Sequence, residues 1–331
     1  MGETNNTIAK HLKESGGFSD KEKRVLITSG ESFTPFFVNA EKLMRDPSLN
    51  YFLELNEKNP HAIIERAIQH YKTNSQFEEV IDIMANYVQQ ILPLDKDVLI
   101  SGGMRRDLIF SAPIAYFFSL DHLSLFKTNP GDDPSKSPMI FTSMDSLISH
   151  ELSDRLDGIE VIHVADLLTK ASSCFDYDNQ SGMFSGWVPQ LRYRGASVNN
   201  LVTAVSRLQG GEQRLIAAGI KPKSFVYIDE NYVKEHSNQP EVCKKYLEND
   251  IEDTQSYILK NGVGVIVPFA NPESKNVPRF EKFLDLYKNF LIGQGLLDEL
   301  NDSIIEKYGK DMYQIIKESK NKRGNWKWKL N

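Results

Sequence analysis

Uninterrupted apolar runs recur through the middle of this chain. Residues 97–100, 122–126, 160–164, 198–205 and 225–228 each read as a short, largely apolar strand. Such runs belong to strands covered on both faces, as in a parallel sheet between helices. Helical patterns separate them. Residues 62–92 carry stripes at Ile63, Ala67, Ile68 and Tyr71, then at Val80, Ile81, Met84, Tyr87, Val88 and Ile91, with Asn74-Ser75 as a break. Residues 108–118 read as a helix interrupted by Pro113. Residues 127–140, with Pro130-Gly131, Asp132-Asp133-Pro134 and Ser137-Pro138, have no period and read as a surface loop. Residues 176–185 read as an insertion. Beyond residue 231 the pattern becomes helical at 241–260 and 279–317, with 262–269 as a strand between. The expected organisation is a loose tail at 1–20, an α/β domain at 21–230 and a mainly helical extension at 231–331.

Composition narrows the classes. The 331 residues are 40% apolar and 25% charged, as in an ordinary globular protein. There is no apolar run of membrane-spanning length, and residues 1–20 lack the apolar core of a secretory signal. Two cysteines, Cys174 and Cys243, provide neither a disulfide framework nor metal-ligand spacing, so a reducing cytoplasm is expected. A net charge of −6 argues against broad nucleic-acid binding. The basic stretch 320–329, with Trp326 and Trp328, reads as a solvated terminus.

Candidate chemistry sits in the segments that follow the strands. Open α/β sheets bind ligands outside the carboxyl ends of their strands. Ser101-Gly102-Gly103-Met104-Arg105-Arg106 follows the first central strand. Its glycines permit close backbone approach to an anion, and its two arginines can clamp phosphate oxygens. Asp107 offers one of those arginines an ion-pair partner instead. Phe126-Lys127 ends the next strand. The run 161–173 delivers Asp166 at a strand end, then a small-residue turn, Thr169-Lys170-Ala171-Ser172-Ser173. Turn amides and hydroxyls suit a phosphate, and the carboxylate suits sugar hydroxyls. Phe36-Phe37 offers an apolar wall for a planar ring, or a core pair. His163, inside an apolar strand, reads as a core histidine. His122, His150 and His236 have no ligand spacing, and Gly262-Val263-Gly264-Val265 lacks the rest of a dinucleotide fingerprint.

The segment Ser206-Arg207-Leu208-Gln209-Gly210-Gly211-Glu212-Gln213-Arg214-Leu215, continuing to Asp229, resembles the carboxyl-terminal signature of orotate phosphoribosyltransferases, within the type I phosphoribosyltransferases. The segments at 161–173 and at Thr28-Ser29-Gly30 with 34–39 follow the family's order. The resemblance covers roughly residues 24–229. It implies a mainly parallel sheet flanked by helices, with N-terminal hood elements; the mainly helical C-terminal extension read from the pattern has no family counterpart. It implies transfer of phosphoribosyl from phosphoribosyl pyrophosphate to orotate or a similar planar base, in pyrimidine nucleotide synthesis, by a homodimer.

Under that resemblance, Asp166 and Lys127 are catalytic. Asp166, Thr169, Lys170, Ala171, Ser172 and Ser173 hold ribose 5-phosphate. Ser101, Gly102, Gly103, Arg105, Arg106 and Lys127 hold pyrophosphate, and Phe36, Phe37, Thr169 and Arg207 hold the base. Magnesium is expected through the substrate and Asp166. The chain departs from the family pattern where Ala165 replaces the first of two adjacent acids, Ala171 a glycine, Thr28 a lysine and Ser206 an aspartate. The loop after Lys127 carries Asp132 and Asp133 in place of the family's lysine and histidine. A non-catalytic sensor of phosphoribosyl pyrophosphate or a nucleotide is therefore a second reading. A DNA-binding regulator on this fold is a third, for which the negative net charge supplies no basic face.

Overall fold

The computed structural model describes residues 3–26, 32–127, 133–152, 155–178, 183–274 and 276–326. Strands β1 (Phe18–Leu26) and β2 (Phe33–Val38) form a two-stranded sheet. The central sheet is built from β3 (Val98–Gly103), β4 (His122–Leu125), β5 (Met139–Thr142), β6 (Ser149–Glu151) and β7 (Glu160–Leu168). A small hairpin of β8 (Asp176–Asp178) and β9 (Met183–Ser185) follows, and β10 (Ser197–Ser206) and β11 (Lys221–Tyr227) complete the central sheet. Its seven strands run in the order β11-β10-β7-β3-β4-β5-β6. The pairs β11–β10, β10–β7, β7–β3 and β3–β4 are parallel, whereas β5 and β6 add an antiparallel edge. The carboxyl ends of five strands therefore share one rim.

Local chemistry explains the helices. Asn59 caps Pro60–Thr73 by accepting from the Ala62 amide, and Asn74 caps Ser75–Ile91 by accepting from Gln76 and Phe77. Asn74-Ser75 thus separates two helices, and each such cap is worth about 1 kcal/mol. Helix Leu108–Phe118 runs through Pro113 without ending. An interior proline costs about 3 kcal/mol. Leu108, Ile109, Phe110 and Ile114 are fully buried, and each returns about 2 kcal/mol, so burial outweighs the proline.

The chain divides into two compact units. The first comprises residues 1–19 and 38–232, and the second comprises 20–37 and 233–331. In the first, one face of the sheet packs Leu99, Leu123, Val161, Leu168 and Leu201 with Trp187, Val188 and Leu191 of the helix Trp187–Tyr193. In the second, Phe33 packs with Ile258, Phe280, Phe283, Tyr287 and Ile304. Arg24 is ion-paired with Asp253, and the Phe33 amide donates to Thr254 Oγ1 at 3.0 Å.

Several expectations are corrected. The anticipated tail contains a helix, Glu3–Glu14, whose Ile8 and Leu12 are fully buried. Its polar majority disguises a narrow apolar stripe. Residues 20–37 cluster with the C-terminal helices rather than with the α/β unit. Val263–Val265 and Val267–Ala270 are 3-10 turns, not a strand. The expected loop at 127–140 ends in β5, and 128–132 lie outside the described residues. No helix among the described residues is long and apolar enough to cross a membrane.

Candidate functional site

Strand β3 pairs with β7 only from Val98↔Glu160 to Ser101↔His163. Beyond that point β3 follows β4 as far as Gly103↔Leu125, and β7 follows β10 as far as Leu168↔Ser206. The sheet forks at its carboxyl rim, with the Gly102–Arg106 bend on one arm and Asp166 with the Thr169–Ser173 turn on the other. Lys127 lies two residues beyond Leu125 on the same rim and is exposed.

Asp107 sits in this fork. Its buried carboxyl accepts from the Gly103 amide through Oδ2 at 3.0 Å and from the Asp166 amide through Oδ1 at 3.0 Å. Burial, and then the charge of Asp166, hold the Asp107 carboxyl well above the usual carboxylate range. Burial raises Asp166 as well, but a hydrogen bond from Asp107 and the nearby Arg106 charge pull it back. Asp166 also accepts from the Leu167 amide at 2.6 Å. Burial pushes the Cys174 thiol up, with Asp107 and Asp166 adding to it, which puts that thiol beside the pair as an inert group.

The arginines are not arranged as the sequence suggests. Arg106 Nε is ion-paired with Glu41 Oε2 at 2.6 Å, and the Glu41 side chain is 1% exposed. Arg105 donates to the Leu53 carbonyl at 3.3 Å. Asp107 pairs with neither. Met104 and Arg105 are joined by a cis peptide bond, and the Met104 amide donates to the Leu125 carbonyl. The Ser101 hydroxyl is fully buried against His163 Nδ1 at 2.9 Å, so it does not reach an anion on the rim. The Gly103 amide is committed to Asp107. Gly103 itself is required, because a Cβ there would lie 2.4 Å from Trp187 Cε2 and 2.7 Å from Asp107 Oδ2.

The turn after β7 is built differently. Ala171 adopts the left-handed conformation at φ 57, the geometry for which glycine is the usual residue. Its carbonyl accepts from Cys174 and Phe175, and the Ser173 carbonyl accepts from Trp187. The carbonyls point inward, and Ser172 and Ser173 are exposed. Thr169 and Lys170 are half-buried. Gly211 packs directly beneath. A Cβ there would lie 2.4 Å from the Thr169 carbonyl and 3.1 Å from the Ala171 amide. The buried Arg207 joins the same edge through its amide, which donates to the Leu168 carbonyl at 2.9 Å. A hairpin, β8–β9, separates this turn from the next helix, as the expected insertion at 176–185 suggests.

Buried histidines support the fork from below. His163 Nε2 is 3.9 Å from Asp107 Oδ2, and His122 Nε2 is 2.8 Å from Ser111 Oγ. Burial depresses both rings to about 3, so both are neutral. His163 is thus the core histidine expected from the sequence.

Among the base candidates, Phe36 is fully buried in the second unit, edge-on to Tyr246 at 5.5 Å, and forms core rather than a pocket wall. Phe37 is 40% exposed, with Lys21 Nζ 5.9 Å above its ring. Thr28-Ser29-Gly30 lies outside the described residues. The sequence reading gave Asp107 only an ion-pair role with one of the arginines and passed over Glu41; the fold instead sets Asp107 against the Gly103 and Asp166 amides and Glu41 against Arg106.

No family model and no curated protein matches the chain. Similar solved structures include an orotate phosphoribosyltransferase from Aeropyrum pernix, 17% identical over 69% of this chain and 97% of that one, with a TM-score of 0.45. The UMP synthase of Leishmania donovani is 12% identical over 78% of this chain and 43% of that one, with a TM-score of 0.42. The orotate phosphoribosyltransferase of Francisella tularensis is 13% identical over 76% and 96%, with a TM-score of 0.40. The chain spans less than half of the Leishmania protein. Likeness this loose says nothing of activity; what stands on the chain's own geometry is a mixed α/β fold with a mainly parallel sheet and a helical C-terminal part.

Proposed function

We propose that this chain binds phosphoribosyl pyrophosphate at the forked rim of its sheet and transfers the phosphoribosyl group to orotate or a similar planar acid. The reading is carried by the contact of Gly211 with the Thr169 carbonyl and the Ala171 amide. That contact sets the Gly210-Gly211 segment against the turn at 169–173, the order the family resemblance requires. In this reading Thr169, Lys170, Ala171, Ser172 and Ser173 take the 5′-phosphate, and Asp166 takes the ribose hydroxyls. Arg105, Arg106 and Lys127 face the departing pyrophosphate, where charge builds as the C1′–O bond breaks. Each well-placed cation there is worth about 2–4 kcal/mol of barrier, by analogy with a lost oxyanion donor. Arg207 is the base-side cation.

Magnesium fits only as a substrate-borne ion. Ala165 is buried and carries no carboxylate, and among the described residues no group of three or more His, Cys, Asp or Glu side chains is placed to hold a metal. Magnesium characteristically binds through one or two carboxylates plus substrate oxygens. Asp166 would contribute that one carboxylate, and the ion would supply charge neutralisation at the pyrophosphate.

A second reading, binding without turnover, is favoured by the Arg106–Glu41 pair, which occupies one of the leaving-group cations. Loss of orotate absorbance in the presence of phosphoribosyl pyrophosphate and magnesium separates the two. Turnover abolished by Asp166→Asn supports transfer. Calorimetric binding with no absorbance change supports the sensor, and neither binding nor turnover overturns both. Sedimentation of the intact chain checks the expected homodimer.

A further inference from the structure

We propose that Asp107 is a positioning residue that fixes the span of the site, bracing both arms of the fork with one carboxyl group. The inference rests on the phosphoribosyl reading for its ligand, but its mechanical part does not.

Ladder hydrogen bonds hold β3 against β7 only as far as Ser101 and His163. Past that pair, nothing in the ladder fixes how far Gly103 stands from Asp166. Asp107 supplies the missing link, because one oxygen takes the Gly103 amide and the other takes the Asp166 amide. The second bond spans 59 residues of sequence. A buried carboxyl is costly unless its oxygens are satisfied, and these are satisfied by amides from the two diverging strands. The surroundings are shaped for it. Gly103 leaves room for the carboxyl where any Cβ would collide with Asp107 Oδ2 and with Trp187. Trp187 is itself 4% exposed, and its amide is tied to the Ser173 carbonyl. The same tryptophan therefore links the bend to the phosphate turn. His163 closes the base of the fork.

The consequence is specific. A ligand that grips both arms, with pyrophosphate at Arg105 and Arg106 and ribose phosphate at Asp166 and the turn, gains affinity from a fixed span. A ligand that grips one arm does not. When two linked groups bind two sites, the second event takes place at an effective concentration set by the geometry between them.

Two measurements test this. The first uses the chain without ligand. Amide hydrogen exchange is followed at Gly103 and Asp166 in Asp107→Asn and Asp107→Ala. Alanine is expected to expose both amides together, and asparagine, which keeps a single acceptor, to expose one. Protection at residues 221–227 of β11 should stay unchanged, which shows that the fold survives. Unchanged protection at both amides overturns the brace, whatever the protein binds. The second uses calorimetry with phosphoribosyl pyrophosphate, ribose 5-phosphate and inorganic pyrophosphate. In Asp107→Asn, affinity for the first is expected to fall by about tenfold or more, and for the other two by less than about threefold. An equal fall for all three, or none for the first, overturns the positioning role. If the amides are exposed as expected but the unsubstituted protein binds none of the three ligands, the brace stands and the phosphoribosyl reading is what fails.

Discussion

The bend after β3 and the turn after β7 occupy equivalent places, each just past a parallel strand on the same rim. Yet their polar groups are spent in opposite ways. In the bend, the Gly103 amide is taken by Asp107, Arg106 by Glu41, and one N–H of Arg105 by the Leu53 carbonyl. In the turn, the carbonyls are used inward while Ser172 and Ser173 stay exposed. The bend is a rigid element that already contains its own counter-charges. The turn packs over Gly211, and its Ser172 and Ser173 face outward. Anion affinity should therefore be concentrated at the turn, with the bend contributing geometry more than charge.

The sharpest way to break this contrast is Gly211→Ala. The added Cβ meets backbone rather than a flexible side chain, so the turn must move. A loss of about 2–3 kcal/mol in denaturant unfolding is expected, as for overpacking. Ribose 5-phosphate binding should disappear with it. Gly210→Ala is the comparison, because that site has open space and only its φ of 86 resists, so about 1 kcal/mol should be lost.

Acid should act on the bend first. His122 and His163 are depressed to about 3 in the folded chain, so the unfolded chain takes up their protons first as pH falls below the usual histidine range. Stability therefore drops from about pH 6.5 downward, by about 2–3 kcal/mol per histidine at pH 4.5. Asp107 opposes this, since its raised carboxyl holds a proton better when folded. Unfolding curves between pH 7 and 4.5 should become less steeply pH-dependent in His122→Asn. Hydrogen exchange should rise at 101–106 before it rises at 169–173.

Glu41→Gln should sharpen the contrast by returning charge to the bend. Arg106 is 53% exposed at its side chain and loses only its buried partner. Pyrophosphate affinity is expected to rise by about threefold to tenfold by titration calorimetry, with ribose 5-phosphate unaffected. The smallest effect belongs to Ala171→Gly. Relief of the left-handed strain outweighs the added chain entropy, leaving a gain of about 0.5–1 kcal/mol measured as a raised Tm.

The sheet was legible because its strands are continuous apolar runs, and Val98, Val161 and Val202 each fall in a strand where the pattern places one. The turn at 169–173 and the Gly210-Gly211 signature were also legible as motifs. What escaped has a common cause. Glu41 pairs with Arg106 and Asp107 takes the Asp166 amide, both far away in the chain, and single residues of ordinary type carry no local signal of burial. Of the short edge strands, β5 was hidden because its apolar Met139-Ile140-Phe141 directly follows the loop-like punctuation ending at Pro138, and β6 because Ser149-His150-Glu151 is polar throughout. Phe36 carried two readings, pocket wall or core, because apolarity alone does not separate them, and it is fully buried.

One further consequence lies in the route of the chain. Residues 20–37 belong with 233–331, and the Phe33–Thr254 and Arg24–Asp253 contacts close over 221 and 229 positions. During translation, two strands must wait for helices made about 221 residues later. Closing so long a loop is slow, and unpaired strands are sticky in the interval. Synthesis stopped after the α/β unit would release a polypeptide with an orphaned ribbon. Shortened versions of this protein should accordingly be recovered as aggregates unless that ribbon is removed as well.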